Sequence, residues 1–137
     1  MEKDIRWKQR FENFDRAVVL LREPFARDVT TLSDLEKGGT IQRFELAFEL
    51  AWKILRDYLE HEGRAIAPVT PRHVIKEAFS ARVLRDGQVW IDMLDQRNLL
   101  SHTYDPATFD KTVLAIRDRY LAAIDELHRW FMERRES

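Results

Sequence analysis

The chain contains no cysteine, so it can build no disulfide frame, no zinc ribbon and no thiol nucleophile. It has only four glycines and four prolines, and these sit almost entirely between periodic stretches, where they punctuate the chain. An excess of one charge sign is also missing: 23 basic residues stand against 24 acidic ones, a formal net charge of -1. No global field therefore draws the protein onto nucleic acid or an anionic membrane, and any contact with a polyanion must be local. Long apolar runs are absent too. The longest, Ala17 to Leu21, falls far short of the ~20 residues of a membrane span, and the charged N-terminal stretch has no signal-peptide core. The expectation is a cytoplasmic protein without a membrane segment. A hydrophobic content of 45% over 137 residues supports one core, so a single domain over residues 1–137 is expected.

What is present is helical periodicity. Trp7, Phe11, Phe14, Val18 and Leu21 recur every three or four residues with charges between them, which predicts a first helix from about Lys3 to Arg22. Ser33 followed by Glu36 resembles a capping box, but Gly38-Gly39 directly after it predicts only a short turn there. Thr40 to Glu62 carries the strongest helical pattern. Ile41, Phe44, Phe48, Ala51, Leu55 and Tyr58 form one stripe, and Leu46, Leu50 and Ile54 a second. Two apolar stripes in so small a chain predict burial against a second subunit as well as against its own core. Glu49 and Lys53 have the spacing of an exposed ion pair. Thr70-Pro71 predicts a capped helix to about Ala81, and another should begin near Asp86 with Trp90, Met93, Leu94 and Arg97 on its turns. Asp105-Pro106 then opens a long last helix marked by Phe109, Val113, Ile116, Tyr120, Ile124, Leu127 and Phe131. Strand alternation is absent. The predicted fold is an all-α, up-and-down helical bundle.

The usual chemistries of helical bundles are excluded by residue type. A di-iron site needs Glu-x-x-His pairs, whereas Tyr58, Thr70, Leu99 and Asp125 stand three residues before His61, His73, His102 and His128. Neither a phosphate-cradling glycine loop, nor a Gly-x-Ser-x-Gly elbow, nor a His-Glu-x-x-His helix is present, and no metal site or cofactor is implied. Polar residues of several types crowd instead into Asp95 to Asp105. Arg97 offers a charged fork suited to phosphate, His102 can exchange a proton near neutral pH, and Tyr104 presents a hydroxyl. Arg56 and His61 share the same spacing, but within one helix they point roughly 140° apart. Arg97 and His102 straddle a predicted helix end, where the chain can turn the two side chains toward each other.

Arg97-Asn98 with His102-x-Tyr104 resembles the Arg-x4-His-x-Tyr motif of HEPN domains, including the polar residue after the arginine. Gly39 to Glu45 and Phe48 to Lys53 are similar to the signature helix of the nucleotidyltransferase substrate-binding branch of that superfamily. Leu100 departs from the pattern, standing where threonine is more usual. The resemblance implies a helical homodimer whose two Arg-His sets face one composite cleft, and a protein partner, a minimal nucleotidyltransferase. It further implies either a metal-independent ribonuclease toxin silenced when the partner adenylylates Tyr104, or a non-catalytic substrate-binding subunit of a two-component nucleotidyltransferase. Arg97, Asn98 and His102 would be catalytic, Tyr104 modified, and Glu45, Glu49 and Ser101 supporting, with RNA or a nucleotide as ligand. Plainer roles stay open at this point: Arg97 as a cation at a helix C-terminus, His102 as a loop histidine, Tyr104 as an interface aromatic, Glu45 and Glu49 as a solvated stripe.

Overall fold

A computed structural model describes residues 2–102 and 105–136, with side chains described from residue 6 onward. Its helices are α1 (Glu2–Arg22), α2 (Asp34–His61), α3 (Pro71–Ser80), α4 (Gly87–Leu100), α5 (Pro106–Ala115) and α6 (Leu121–Arg135). Pro24 closes α1 into a 3-10 turn, Glu23–Ala26, and a second 3-10 turn, Val29–Thr31, is capped by the Asp28 carboxylate. Among the described residues there is no strand.

The start of α2 differs from the expected short turn. Ser33 and Glu36 form a full capping box, with the Glu36 N–H donating to Ser33 Oγ at 3.1 Å and the Ser33 N–H to Glu36 Oε1 at 2.9 Å. The helix then runs straight through Gly38-Gly39. Each glycine costs about 1 kcal/mol relative to alanine, but the cap, a Lys37–Asp110 ion pair at 2.8 Å and the burial of Ile41 and Phe44 oppose that cost. The other predicted starts hold: Thr70, Asp86 and Asp105 each accept backbone N–H groups as N-caps, and Pro71 and Pro106 follow two of them.

Cross-helix pairs set the directions. Arg10 meets Asp57, and Arg43 donates to the Leu20 carbonyl, so α1 and α2 are antiparallel. Glu12 pairs with Arg135 and Arg22 with Asp125, so α6 also runs against α1. Asp92 meets Arg119 and Gln96 meets Thr112, which orients α4 against the last helical run. Trp7, Phe11, Phe14, Val18 and Leu21 of α1 are all buried, as are Phe44, Phe48, Ala51 and Leu55 of α2, and they share one core with Trp90, Ile116, Ile124 and Phe131. Each such large side chain contributes roughly 1.5–3 kcal/mol on burial. The long last helix contains a π segment, Ile116–Tyr120, between α5 and α6. Its wider turn brings both Ile116 and Tyr120 inward, and Tyr120 stacks on Phe44 with ring centroids 5.6 Å apart. Among the described residues, no helix is long and apolar enough to cross a membrane.

Candidate active site

Arg97 lies in the last turn of α4, and Glu45 and Glu49 lie one turn apart on α2. Packing of Phe48 against Trp90, centroids 6.3 Å apart, brings the two helices together. The Arg97 guanidinium donates through Nη2 to Glu49 Oε2 at 2.7 Å and through Nη1 to Asn98 Oδ1 at 3.1 Å, and it sits 6.0 Å from the Phe48 ring. Lys53 Nζ approaches the other Glu49 oxygen at 3.6 Å. Trp52 is buried, and among the described residues its indole N–H finds no hydrogen-bond partner of ordinary geometry. That N–H lies close enough to Glu49 to stabilise the anion.

These neighbours drive the two carboxylates in opposite directions. Burial pushes Glu49 up, but Trp52, Arg97 and Lys53 together outweigh it and hold the group below the ordinary carboxylate range. Burial also raises Glu45, and there only the charge of Arg97 opposes it, so Glu45 titrates above that range. Two carboxyls on one helix face with proton affinities pushed apart are an arrangement suited to acid–base work.

Beyond Leu100 the chain turns. The His102 N–H donates to the Leu99 carbonyl at 3.0 Å and the Ser101 hydroxyl to the Asn98 carbonyl at 2.7 Å. His102 is exposed, and among the described residues its side chain has no hydrogen bond or ion pair. The structure thus joins Arg97, Asn98 and Glu49, sets Glu45 within reach of the arginine's charge, and among the described residues forms no hydrogen bond between the Arg97 and His102 side chains. Tyr104 lies outside the described residues. Among the described residues no three His, Asp or Glu side chains converge as a metal-binding set. A cavity of about 660 Å³ lined by Arg27, Glu36 and Arg43 excludes Arg97 and His102 from its lining, and its arginines are matched by carboxylates, Arg27 by Glu36 and Arg43 by Glu23.

Two participants escape a reading of the sequence. Trp52 reads there as packing alone, because nothing in the spacing shows where its N–H points. Lys53 is visible as the partner of Glu49, but not as part of a group that also holds Arg97.

Residues 9–133 match the family described as nucleotidyltransferase substrate binding protein like. A relative from Haemophilus influenzae, described as probable ribonuclease HepT, is 28% identical over 100 residues, covering 69% of this chain and 68% of that protein. A crystal structure of a protein from Thermus thermophilus superposes with a TM-score of 0.74 at 29% identity, over 90% of this chain and 99% of that one. The chain belongs to the nucleotidyltransferase substrate binding protein family, the branch of the HEPN superfamily that its two motifs resemble.

Proposed function

We propose that this protein is the HEPN-type partner of a minimal nucleotidyltransferase, and that it cleaves RNA without a metal ion until Tyr104 is adenylylated. The observation that carries the reading is the half-buried Arg97, held by Glu49 at the end of α4, with His102 exposed in the turn beyond and its side chain without a partner among the described residues. In this reading His102 removes the proton of a ribose 2′-hydroxyl, or protonates the leaving 5′-oxygen, as the 2′-oxygen attacks phosphorus and the P–O5′ bond breaks. The products are a 2′,3′-cyclic phosphate and a 5′-hydroxyl. Arg97 exchanges part of its contact with Glu49 for the charge that builds on the phosphorane, while Asn98, Glu49 and Glu45 hold it in place and Ser101 fixes the turn.

A homodimer fits the surface of α2. The stripe Leu46, Leu50 and Ile54 is only partly used within the chain: Ile54 is fully buried and Leu50 half-buried, while Leu46 is 50% exposed. Val19 is 54% exposed on the stretch of α1 that Arg43 ties to α2. A second copy covering this face would sit beside Glu49 and Arg97 and bring two sites together. The similarity to a probable ribonuclease supports the catalytic reading.

The family's own description supports a second reading, in which the same residues only bind a substrate for the nucleotidyltransferase. Incubation of the purified protein with RNA, with and without the nucleotidyltransferase and ATP, separates the two. Cleavage by the protein alone, lost after treatment with partner and ATP, is the expected result. Absence of cleavage under both conditions leaves the substrate-binding role.

A further inference from the structure

We infer that the groove between α3 and the first turns of α4 docks an acidic segment of a partner protein bearing one bulky apolar anchor. The groove encloses about 510 Å³ and is lined by Ile75, Phe79 and Ile91, with Lys76 and Arg85 at its rim. Phe79 is 51% exposed although it belongs to an otherwise amphipathic helix.

Local structure holds that ring outward. At the end of α3 the chain turns through Arg82 with φ 63°, a left-handed conformation uncommon for a residue with a side chain. The turn is closed by the Arg82 N–H donating to the Phe79 carbonyl at 3.0 Å and the Val83 N–H to the Ala78 carbonyl at 2.9 Å, and Val83 and Leu84 are buried as its anchors. Gly87 then lets α4 begin against the ring: a Cβ there would stand 3.1 Å from Phe79 Cγ and Cδ1. A side chain at this position would press on the aromatic ring.

The charges at the rim are left available. Lys76 has no ion-pair partner among the described residues, and Arg85, 82% exposed, reaches Glu126 only at 3.9 Å. The one carboxylate in the lining, Asp86, accepts the N–H groups of Gln88 and Val89 as the cap of α4. The unmatched charge is positive and its complement is acidic.

The shape selects the occupant further. Single-stranded nucleic acid is held by successive stacking aromatics, and here one phenylalanine stands over an aliphatic floor. A second copy docked on this groove by two-fold symmetry would bring the basic rim of one copy to the basic rim of the other, a like-charge contact. An apolar side chain entering between Ile75, Phe79 and Ile91, flanked by carboxylates, satisfies both the lining and the rim. Gly87 and Arg97 lie ten residues apart on α4, about 15 Å at the helical rise. Docking in this groove therefore does not depend on the reading of the Arg97 site.

The test is fluorescence anisotropy on the full chain, with a short labelled peptide carrying a central leucine between glutamates. The comparison probes replace the leucine by serine, replace the glutamates by lysines, or are labelled oligouridylate. Saturable binding of the first peptide alone is expected, weakened about tenfold or more in Phe79→Ser. The double reversal Lys76→Glu/Arg85→Glu should transfer preference to the lysine peptide. Both variants change exposed side chains, and circular dichroism checks that they remain helical. The inference is overturned by any of four results: no saturable binding, equal binding of the serine peptide, oligouridylate binding that falls in Phe79→Ser, or self-association of the chain that Phe79→Ser relieves.

Discussion

Replacing Asp57 by alanine should destabilise this protein by about 3 kcal/mol. The Asp57 side chain is 0% exposed, yet it accepts from Arg10 Nε at 2.5 Å and from Arg56 Nε at 3.1 Å, tying α1 to α2. Without it two guanidiniums face each other, each with only about a quarter of its side chain in water. Breaking a buried pair by removing one partner costs roughly 3–5 kcal/mol, because a buried charge is left uncompensated. The remaining exposure of both arginines places the expected cost at the lower end of that range. For a chain of 137 residues this corresponds to a fall in Tm of roughly 10 °C. Urea unfolding followed by circular dichroism measures it, provided the slope m is unchanged. Arg10→Ala should cost less, since Arg56 stays on the carboxylate. Replacing all three groups together by methionine or leucine should recover most of the loss. An Asp57→Ala variant within about 0.5 kcal/mol of the parent, the range of an ordinary surface substitution, would refute the reasoning.

Leu46→Asp should leave the monomer folded but lower the fraction of dimer seen by light scattering, since Leu46 is half exposed. A variant with unchanged mass in solution removes α2 from the interface. Phe48→Asp should instead unfold the chain, because Phe48 is fully buried in the core and an unpaired carboxylate there costs several kcal/mol. Carboxyl carbon shifts followed by NMR from pH 7 downward should show Glu45 taking its proton first and Glu49 later. The sign follows from linkage: lowered Glu49 contributes stability that is lost as pH falls through its folded value, whereas raised Glu45 favours the fold at lower pH. The reverse order would contradict the placement of Arg97 against Glu49. Incubation with the nucleotidyltransferase and ATP should add ~329 Da per adenylyl group, the mass of a covalent AMP modification, and Tyr104→Phe should abolish the shift. An adduct on another residue would reject Tyr104 as the switch.

Helix ends were the most legible part of the sequence, because their signals are local. Thr70-Pro71, Asp86 and Asp105-Pro106 each place a capping oxygen beside the first orphan N–H groups, and each opens a helix. Ser33 carried the same signal but misled beside Gly38-Gly39, since helix propensity weighs against the glycines while the packing that outweighs it lies far along the chain at Asp110. Long-range charge pairing was invisible for the same reason. Asp57 finds Arg10 47 residues away and Arg97 finds Glu49 48 residues away, separations that no periodicity reports. Spacing gives His128 no role beyond excluding a di-iron pair, yet it is buried against Asp15 at 2.7 Å and packs beside Phe11. Nor could spacing show the π segment, whose extra residue is accommodated by tertiary packing around Ile116 and Tyr120. The motif of the candidate site was legible as residue types at a helix end, whereas its geometry came only with the fold.

The central claim, that Arg97 and His102 carry out metal-independent RNA cleavage, is tested most directly by the rate at which the purified protein cuts RNA in EDTA. The parent protein should retain full activity there. His102→Ala should lose roughly 10²–10⁴-fold, the size of an acid–base contribution, and Arg97→Ala should lose a comparable factor through the unshielded phosphorane. Undiminished cleavage in both variants, or complete loss of the parent's activity in EDTA, would contradict the account.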